Sequence, residues 1–302
     1  MMRRLTLALA VFVLLGTQAC GNTPRQFNPL PAALGDLRGL ALGFEGLEPL
    51  ADGEGIYAVW IRLDNRDVIG LGPFNVDADG RPVNTVGDVV ERFSAATNLF
   101  SAVNVFVTIE PGGVPGGTAG QAIILQGPFL DGVAQLSVPA PLLVGQAGGS
   151  YRVFTPTDGP DTNEGSGLWA VSVEGEPLLL LPPLNTVYAW EHYMIINGQT
   201  LTMGRFNNPE ARDFANLYSG PEPAPAFPGE DFVANAPAGL TFPADLGGAR
   251  LLLTLEPVLD DTADPSQLVV LEAILPAGLQ GGEIIELTNR AADFPTGTAV
   301  IF

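Results

Sequence analysis

Apolar and polar side chains alternate with a period of two through much of this chain, and that pattern predicts strands. Val105, Val107 and Ile109 alternate with Phe106, Thr108 and Glu110, so one face of a strand is marked for burial. Leu251, Leu253 and Leu255 repeat the pattern further on. Residues 57–63 (YAVWIRL) and 188–196 (YAWEHYMII) are aromatic, strand-forming runs, and each ends in a turn, Asp64-Asn65-Arg66-Asp67 and Asn197-Gly198. The Asn-Gly pair predicts a type I′ hairpin joining Ile195-Ile196 to Leu201-Thr202-Met203, because both central residues tolerate positive φ. One stretch departs from this period. In residues 85–100, Val86, Val89, Val90, Phe93 and Leu99 keep helical spacing behind Thr85-x-x-Asp88, which predicts a short helix.

The same signals occur twice. Leu47-Glu48-Pro49-Leu50 returns 134 positions later as Leu181-Pro182-Pro183-Leu184, and Gly72-Pro73-Phe74-Asn75 returns after 132 as Gly204-Arg205-Phe206-Asn207. Val107-Thr108-Ile109-Glu110-Pro111 returns after 146 as Leu253-Thr254-Leu255-Glu256-Pro257. After nine intervening residues in each copy come Gln121-Ala122-Ile123-Ile124-Leu125 and Gln267-Leu268-Val269-Val270-Leu271. Residues 149–154 (GSYRVF) match 297–302 (GTAVIF). Five anchors in one order read as a tandem duplication. Short strands punctuated by Gly and Pro predict an all-β chain of two tandem β-sandwich domains of immunoglobulin-like architecture, at 36–154 and 166–302. Residues 155–165 between them are polar, and read as a linker or as a long hairpin loop.

Residues 1–19 read as a secretory leader. Arg3 and Arg4 precede the apolar run 5–16 (LTLALAVFVLLG), which is followed by Thr17-Gln18-Ala19. Twelve apolar residues fall short of the roughly 20 that span a bilayer. Cys20 follows immediately, where a bacterial lipoprotein leader places the thiol that takes the lipid. Each buried CH₂ of such chains is worth about 0.8 kcal/mol, so two or three chains hold durably. Ordinary secretion after Ala19 is the other reading of the same residues. Residues 20–35 then form a Pro-containing tether.

Composition narrows the function. The chain has 302 residues, 33 Asp and Glu against 13 Lys and Arg, a formal charge of −20, one His and one Cys. There is no Lys at all. Such a chain lacks the clustered cations that neutralise nucleic-acid phosphates. One Cys forms no disulfide framework, and one Cys with one His builds no structural zinc site. At 46% hydrophobic residues it has enough apolar surface for real cores. The acidity reads as solubility and mutual repulsion at a membrane or wall surface.

An aromatic strand, a Gly-x-Phe turn, an Asp-x-Asp-Gly stretch and then Val-Thr-Ile-Glu-Pro-Gly-Gly resemble the extracytoplasmic domain of anti-sigma-K factors. The first copy carries these at 57–63, 72–74, 77–80 and 107–113. The second keeps 204–206 and 253–257 but has Val258-Leu259 in place of Gly-Gly. The resemblance implies a β-sandwich in an envelope setting. In that family, sigma binding belongs to a separate cytoplasmic module on a transmembrane helix. No segment precedes the leader here, so that module is expected to be absent and sigma-factor inhibition is not implied.

Several residues invite chemistry. Asn75-x-Asp77-x-Asp79-Gly80 has the spacing of the first half of a calcium loop, but Val86 stands where the bidentate Glu belongs, so a polar turn is the competing reading. His192 sits beside Glu191 with no nucleophile motif or second His, and is expected to be a satisfied strand residue. Glu110 and Glu256 hold equal places in the two copies, which suggests a carboxylate pair, but each precedes a Pro and is expected at a solvent-facing strand end. Trp60, Trp169, Trp190, Tyr151 and Tyr193 could make a stacking platform for glycans. No catalytic residue and no cofactor is assigned. The expectation is a non-enzymatic, lipid-anchored envelope protein, extracytoplasmic at the outer surface or in the periplasm. Its partners are the membrane through Cys20 and a protein of the envelope. The alternatives are a sensor acting through a transmembrane partner and, more weakly, a glycan-binding module.

Overall fold

The structure, a computed structural model, describes residues 37–302 except 52, 111–116, 140–142 and 259–262. The leader, Cys20 and the tether lie outside the described residues. The protein is an all-β, sandwich-type fold. Among the described residues the only helical turns are three short 3-10 segments, Val144–Gln146, Glu164–Ser166 and Ala291–Asp293.

The first part of the chain supplies β1 (Gly39–Glu45), β2 (Ile56–Leu63), β3 (Val68–Val76), β4 (Pro82–Val83), β5 (Phe93–Ser94), β6 (Ala102–Glu110), β7 (Ile123–Leu130), β8 (Val133–Leu136) and β9 (Gly148–Val153). Then follow β10 (Leu168–Trp169), β11 (Leu179–Leu180), β12 (Tyr188–Ile196), β13 (Gln199–Phe206), β14 (Gly229–Glu230), β15 (Arg250–Pro257), β16 (Val269–Ile274), β17 (Ile284–Glu286), β18 (Thr288–Asn289) and β19 (Thr296–Ile301). Three sheets result, in the orders β4-β3-β2-β6-β7-β8-β19-β1-β5, β11-β9-β10-β14 with β17 also on β9, and β13-β12-β15-β16-β18.

The alternation read from the sequence sets the faces. Tyr57, Val59 and Ile61 of β2 enter one core with Val105 and Val107 of β6, while Ala58 and Trp60 point the other way onto Phe106. Trp190, Met194 and Ile196 of β12 enter the other large core with Leu251, Leu253 and Leu255 of β15. The Asn197-Gly198 turn has positive φ at both residues, 52° and 80°, as a type I′ hairpin requires.

The two strand sets share a register. Tyr57 faces Phe74 and Trp190 faces Phe206, and two residues later each pairing slips by one, between Val59 and Trp60 and between His192 and Tyr193. Both slips sit at a glycine with positive φ, Gly72 at 135° and Gly204 at 118°. Beyond the slip, Trp60 lies opposite Gly70, where an added Cβ would approach its ring to 2.8 Å, whereas the smaller Tyr193 lies opposite Thr202. The β6–β7 and β15–β16 pairs also slip at matching places, after Val107 and after Leu253.

The division of the chain between cores differs from a cut near residues 155–165. β9 lies against β10, β11 and β17, and its Tyr151 and Val153 belong to the core of β12 and β15. β19 lies between β8 and β1, and its Ala299 and Ile301 belong to the core of β2 and β6. The core of β12 and β15 is thus built from the continuous stretch β9–β18, and the core of β2 and β6 from β1–β8 together with the returning β19. Because β9 and β10 pair antiparallel, the polar stretch between them is the loop of a hairpin. An amphipathic strand records which face it buries, not which sheet receives it.

The helix expected at 85–100 does not form. The Asn84 side chain accepts the amides of Val86 and Asp88, Gly87 takes φ of 89°, and Val89 bridges to Val83. Val86 is 78% exposed and Val89 46%, so the supposed apolar stripe has no core to face. Phe93 and Leu99 are buried separately, Phe93 edge-on to Phe74 and beside β1.

Candidate functional site

The densest polar chemistry lies inside the second core. Strand alternation turns His192 inward with Trp190 and Met194. Its Nδ1 stands 3.0 Å from the Tyr151 hydroxyl and its Nε2 3.1 Å from Oδ2 of Asp213. Oδ2 of Asp213 also accepts the Gly229 amide at 2.9 Å. A histidine whose Nε2–H donates to the carboxylate leaves Nδ1 to accept from Tyr151. The imidazole is fully buried, as is Tyr151, and burial raises the tyrosine hydroxyl well above its ordinary range. The His192 and Asp213 side chains are 0% and 2% exposed and both ring nitrogens are partnered, so His192 is a satisfied strand histidine.

Next to it, Asp231 and Glu230 are both fully buried. Asp231 accepts the Thr157 amide at 2.7 Å, the Thr157 hydroxyl at 2.5 Å and the Trp169 indole N–H at 2.5 Å. Glu230 accepts the Leu217 amide at 2.8 Å, the Ser219 hydroxyl and the Asp231 amide. These donors are neutral, and burial raises Asp231 to about 6 and pushes Glu230 up as well. Together Asp213, Glu230 and Asp231 pin the irregular stretch around 213–231 onto the 155–157 loop and the core sheets. Their signal in the sequence is slight, because Gly229-Glu230-Asp231 in a Pro-rich stretch has the composition of a solvated loop.

Glu110 and Glu256 are not at solvent-facing strand ends: they are 6% and 0% exposed. Thr108 Oγ1 donates to Glu110 and Thr254 Oγ1 to Glu256, each at 2.5 Å, and the Gly120 and Ser266 amides donate to the same carboxylate oxygens at 2.8 Å. In each case the segment returning after the strand supplies a backbone donor to the buried carboxylate. The two carboxylates belong to separate sheets, on β6 and β15. On the outer face of β12, Glu191 accepts from Thr202 at 2.6 Å and from the Arg205 guanidinium, where β2 has only Ala58.

The calcium-like stretch is a turn held by its own residues. The Asn75 side chain bonds both backbone groups of Leu50, at 2.9 and 2.8 Å. Asp77 Oδ1 accepts the amides of Asp79 and Arg81 at 3.0 Å, and Oδ2 receives the Arg81 guanidinium at 2.8 Å. Arg81 also lies 3.2 Å from Asp79. Hydrogen bonds from Arg81 hold the Asp77 carboxyl below its usual range. A guanidinium therefore sits where a cation would, and no group of three His, Cys, Asp or Glu able to hold a metal occurs among the described residues.

The five aromatic residues read as a possible platform are all buried: Trp60 2%, Trp169 1%, and Trp190, Tyr151 and Tyr193 0%. They form no surface for stacking, since strand alternation sends each into one of the cores or under a covering segment. Where the two strand sets meet, Gln267 Nε2 donates to the Tyr57 hydroxyl at 2.6 Å, which donates to the Glu48 carbonyl at 2.7 Å. The Tyr188 hydroxyl donates to the Ile123 carbonyl at 2.6 Å. Pro49, Leu50, Ile109, Pro257 and Leu268 line a cleft at this seam, together with the acidic Glu48, Glu54 and Asp264. No helix among the described residues is long and apolar enough to cross a membrane. Compared with known proteins, the chain matches no family model, no curated protein and no solved structure.

Proposed function

We propose that the protein is a lipid-anchored module of the cell envelope that binds or supports and does not catalyse, built from two copies of one β-unit. One observation carries the non-enzymatic reading. The side chains best suited to chemistry, His192, Glu110, Glu256, Asp213 and Asp231, are all turned inward and spent on hydrogen bonds that hold the fold. The duplication is supported by the common register and common slips of β2, β3, β6 and β7 with β12, β13, β15 and β16. The lipid anchor rests on the leader and Cys20, and the net charge of −20 suits an exposed, mutually repelling surface.

The test is in-cell crosslinking of the full-length protein with mass spectrometry of what is captured, run beside a Cys20→Ser strain and metabolic labelling with a fatty-acid probe. Label on the native chain and none on Cys20→Ser is the expected result; equal absence of label from both overturns the anchor. Stoichiometric capture of a protein with a membrane-spanning helix, only when Cys20 is present, would replace the structural reading with that of a sensor.

A further inference from the structure

One end of the nine-stranded sheet collects exposed apolar side chains. The strand pairing brings together there the turn from β2 to β3, the 95–101 loop before β6, the turn from β7 to β8, the start of β1 and Phe302 after β19. The Leu99 amide donates to the Leu37 carbonyl, the Asp64 amide to the Ser101 carbonyl and the Ile301 amide to the Gly132 carbonyl, at 2.7, 2.9 and 2.9 Å. Phe100 is 70% exposed and Leu130 76%, and Val68, Val103 and Phe302 are exposed as well. Arg38, Arg62, Arg66 and Arg92 stand exposed at this end against Asp64, Asp67, Glu91 and Asp131, so it is near neutral in a chain of formal charge −20. The Arg92 guanidinium lies 5.1 Å from the centre of the Phe302 ring. The second strand set meets the opposite end of the sheet, through Tyr188 on Ile123 and Gln267 on Tyr57.

We propose that this end is the face the protein lays on its membrane, docking on the headgroup layer of anionic phospholipid; the proposal rests on the reading of Cys20 as a lipid anchor. The chain enters the fold at this end, at Leu37, which is 17 positions after Cys20. Fully extended, that length reaches about 60 Å at most. A tether that short, fastened at this end, holds it near the surface at a high effective concentration, so weak contacts suffice. An anionic surface repels the acidic remainder of the chain, and the near-neutral end is the one that can approach. Phe and Leu side chains carried on turns enter the boundary between headgroups and acyl chains. The arginines among them present planar, forked donors that suit lipid phosphates.

The test uses the full chain purified from membranes and returned to vesicles of phosphatidylglycerol and phosphatidylethanolamine. Its one Cys is Cys20, whose sulfur the lipid consumes, so a single new Cys alone takes a thiol-reactive fluorophore. Thr97→Cys, at an exposed position of the 95–101 loop, reports the docking end. Ile274→Cys reports the second strand set: Ile274 is 73% exposed, at the end of β16 away from Leu268 and the seam. With a headgroup-quenching lipid in the vesicles, the Thr97 label is expected to lose most of its emission and the Ile274 label little. Phe100→Ser with Leu130→Ser removes no buried side chain, and should release the Thr97 label from quenching while the chain stays on the vesicle. Equal loss at both labels, or none at Thr97, overturns the docking. A Thr97 label quenched only by other labelled copies overturns it too, and assigns the end to a second copy of the chain. The native chain without a new Cys reads the anchor separately: if it takes the fluorophore, Cys20 is unacylated, and the anchor fails together with the docking built on it.

Discussion

The Tyr151 hydroxyl lies 3.0 Å from Nδ1 of His192, and this bond ties β9, encoded before the 155–165 loop, to β12, an inner strand of the sheet encoded after it. Asp213 completes the line from the other side at 3.1 Å. A buried polar chain of this kind stabilises only while every member is paired, because an unpaired buried group keeps its full desolvation cost.

His192→Phe is accordingly expected to lower stability by about 2–3 kcal/mol, since it strands the Tyr151 hydroxyl and removes one donor from Asp213. Urea unfolding measures the loss. Tyr151→Phe in the same background should add little, because its partner is already gone. Full additivity of the two substitutions would show that the bond carries no weight.

Asp231 and Glu230 make stability depend on pH in a defined direction. Burial raises Asp231 to about 6 and raises Glu230 too, so the folded chain holds protons that the unfolded chain has released. Their contribution is fully present below the ordinary carboxylate range, near pH 4, and is lost as pH rises through about 6. For Asp231 this amounts to about 2–3 kcal/mol. Urea midpoints from about pH 5 to about pH 8 should therefore fall with pH. Asp231→Asn, which keeps an acceptor oxygen, should flatten that slope. A midpoint that climbs across the same window would contradict the burial argument.

What the sequence reveals of this fold depends on the range of the interaction. The strands around Tyr57 and Tyr188 and the Asn197-Gly198 hairpin are legible, because alternation and turn chemistry act over a few residues. The helix expected at 85–100 fails because Asn84 and Gly87 settle the backbone locally and no core lies opposite Val86. That β9 begins the second core and β19 returns to the first is invisible in the pattern: 149–154 and 297–302 have the same look wherever they pair. Asp213, Glu230 and Asp231 are missed for a related reason. Asp231 and Asp213 are paired with Thr157, Trp169 and His192, which lie 21 or more residues away in sequence, and Glu230 with Leu217 and Ser219, 13 and 11 residues back across an irregular stretch. Glu110 and Glu256 were legible as equivalent positions, but their burial depends on amides of the returning segments at 120 and 266.

The turn at Asn75–Arg81 is expected to be indifferent to calcium. Asp77 already receives two amides and the Arg81 guanidinium, and Asn75 is occupied by Leu50, so a divalent ion must break existing bonds to enter. Gly80, at φ of 72°, packs so closely on the Phe44 carbonyl that an added Cβ would meet it at 2.5 Å. Thermal unfolding with millimolar calcium should match unfolding with chelator, while Gly80→Ala should lower the midpoint under both conditions. A midpoint raised by several degrees by calcium alone would restore the metal reading.

Thr108 is the hinge of the small apolar cluster on the outer face of β2. Its hydroxyl accepts the Trp60 indole N–H at 2.9 Å and donates to Glu110 at 2.5 Å, so one oxygen satisfies two buried partners. Thr108→Val keeps the shape and removes both bonds, leaving a buried N–H and weakening the shell around a buried carboxylate. The expected loss is about 2–4 kcal/mol, larger than for a single neutral hydrogen bond. Thr108→Ser keeps the oxygen and should recover most of that loss, apart from the missing methyl. Trp60 fluorescence, isolated by Trp169→Phe and Trp190→Phe, reports the site directly. In Thr108→Val its emission should shift within the folded state as the indole loses its acceptor, and in Thr108→Ser it should stay at the native position. Equal stability for the Val and Ser variants would show that the hydroxyl is dispensable and that packing alone holds Trp60.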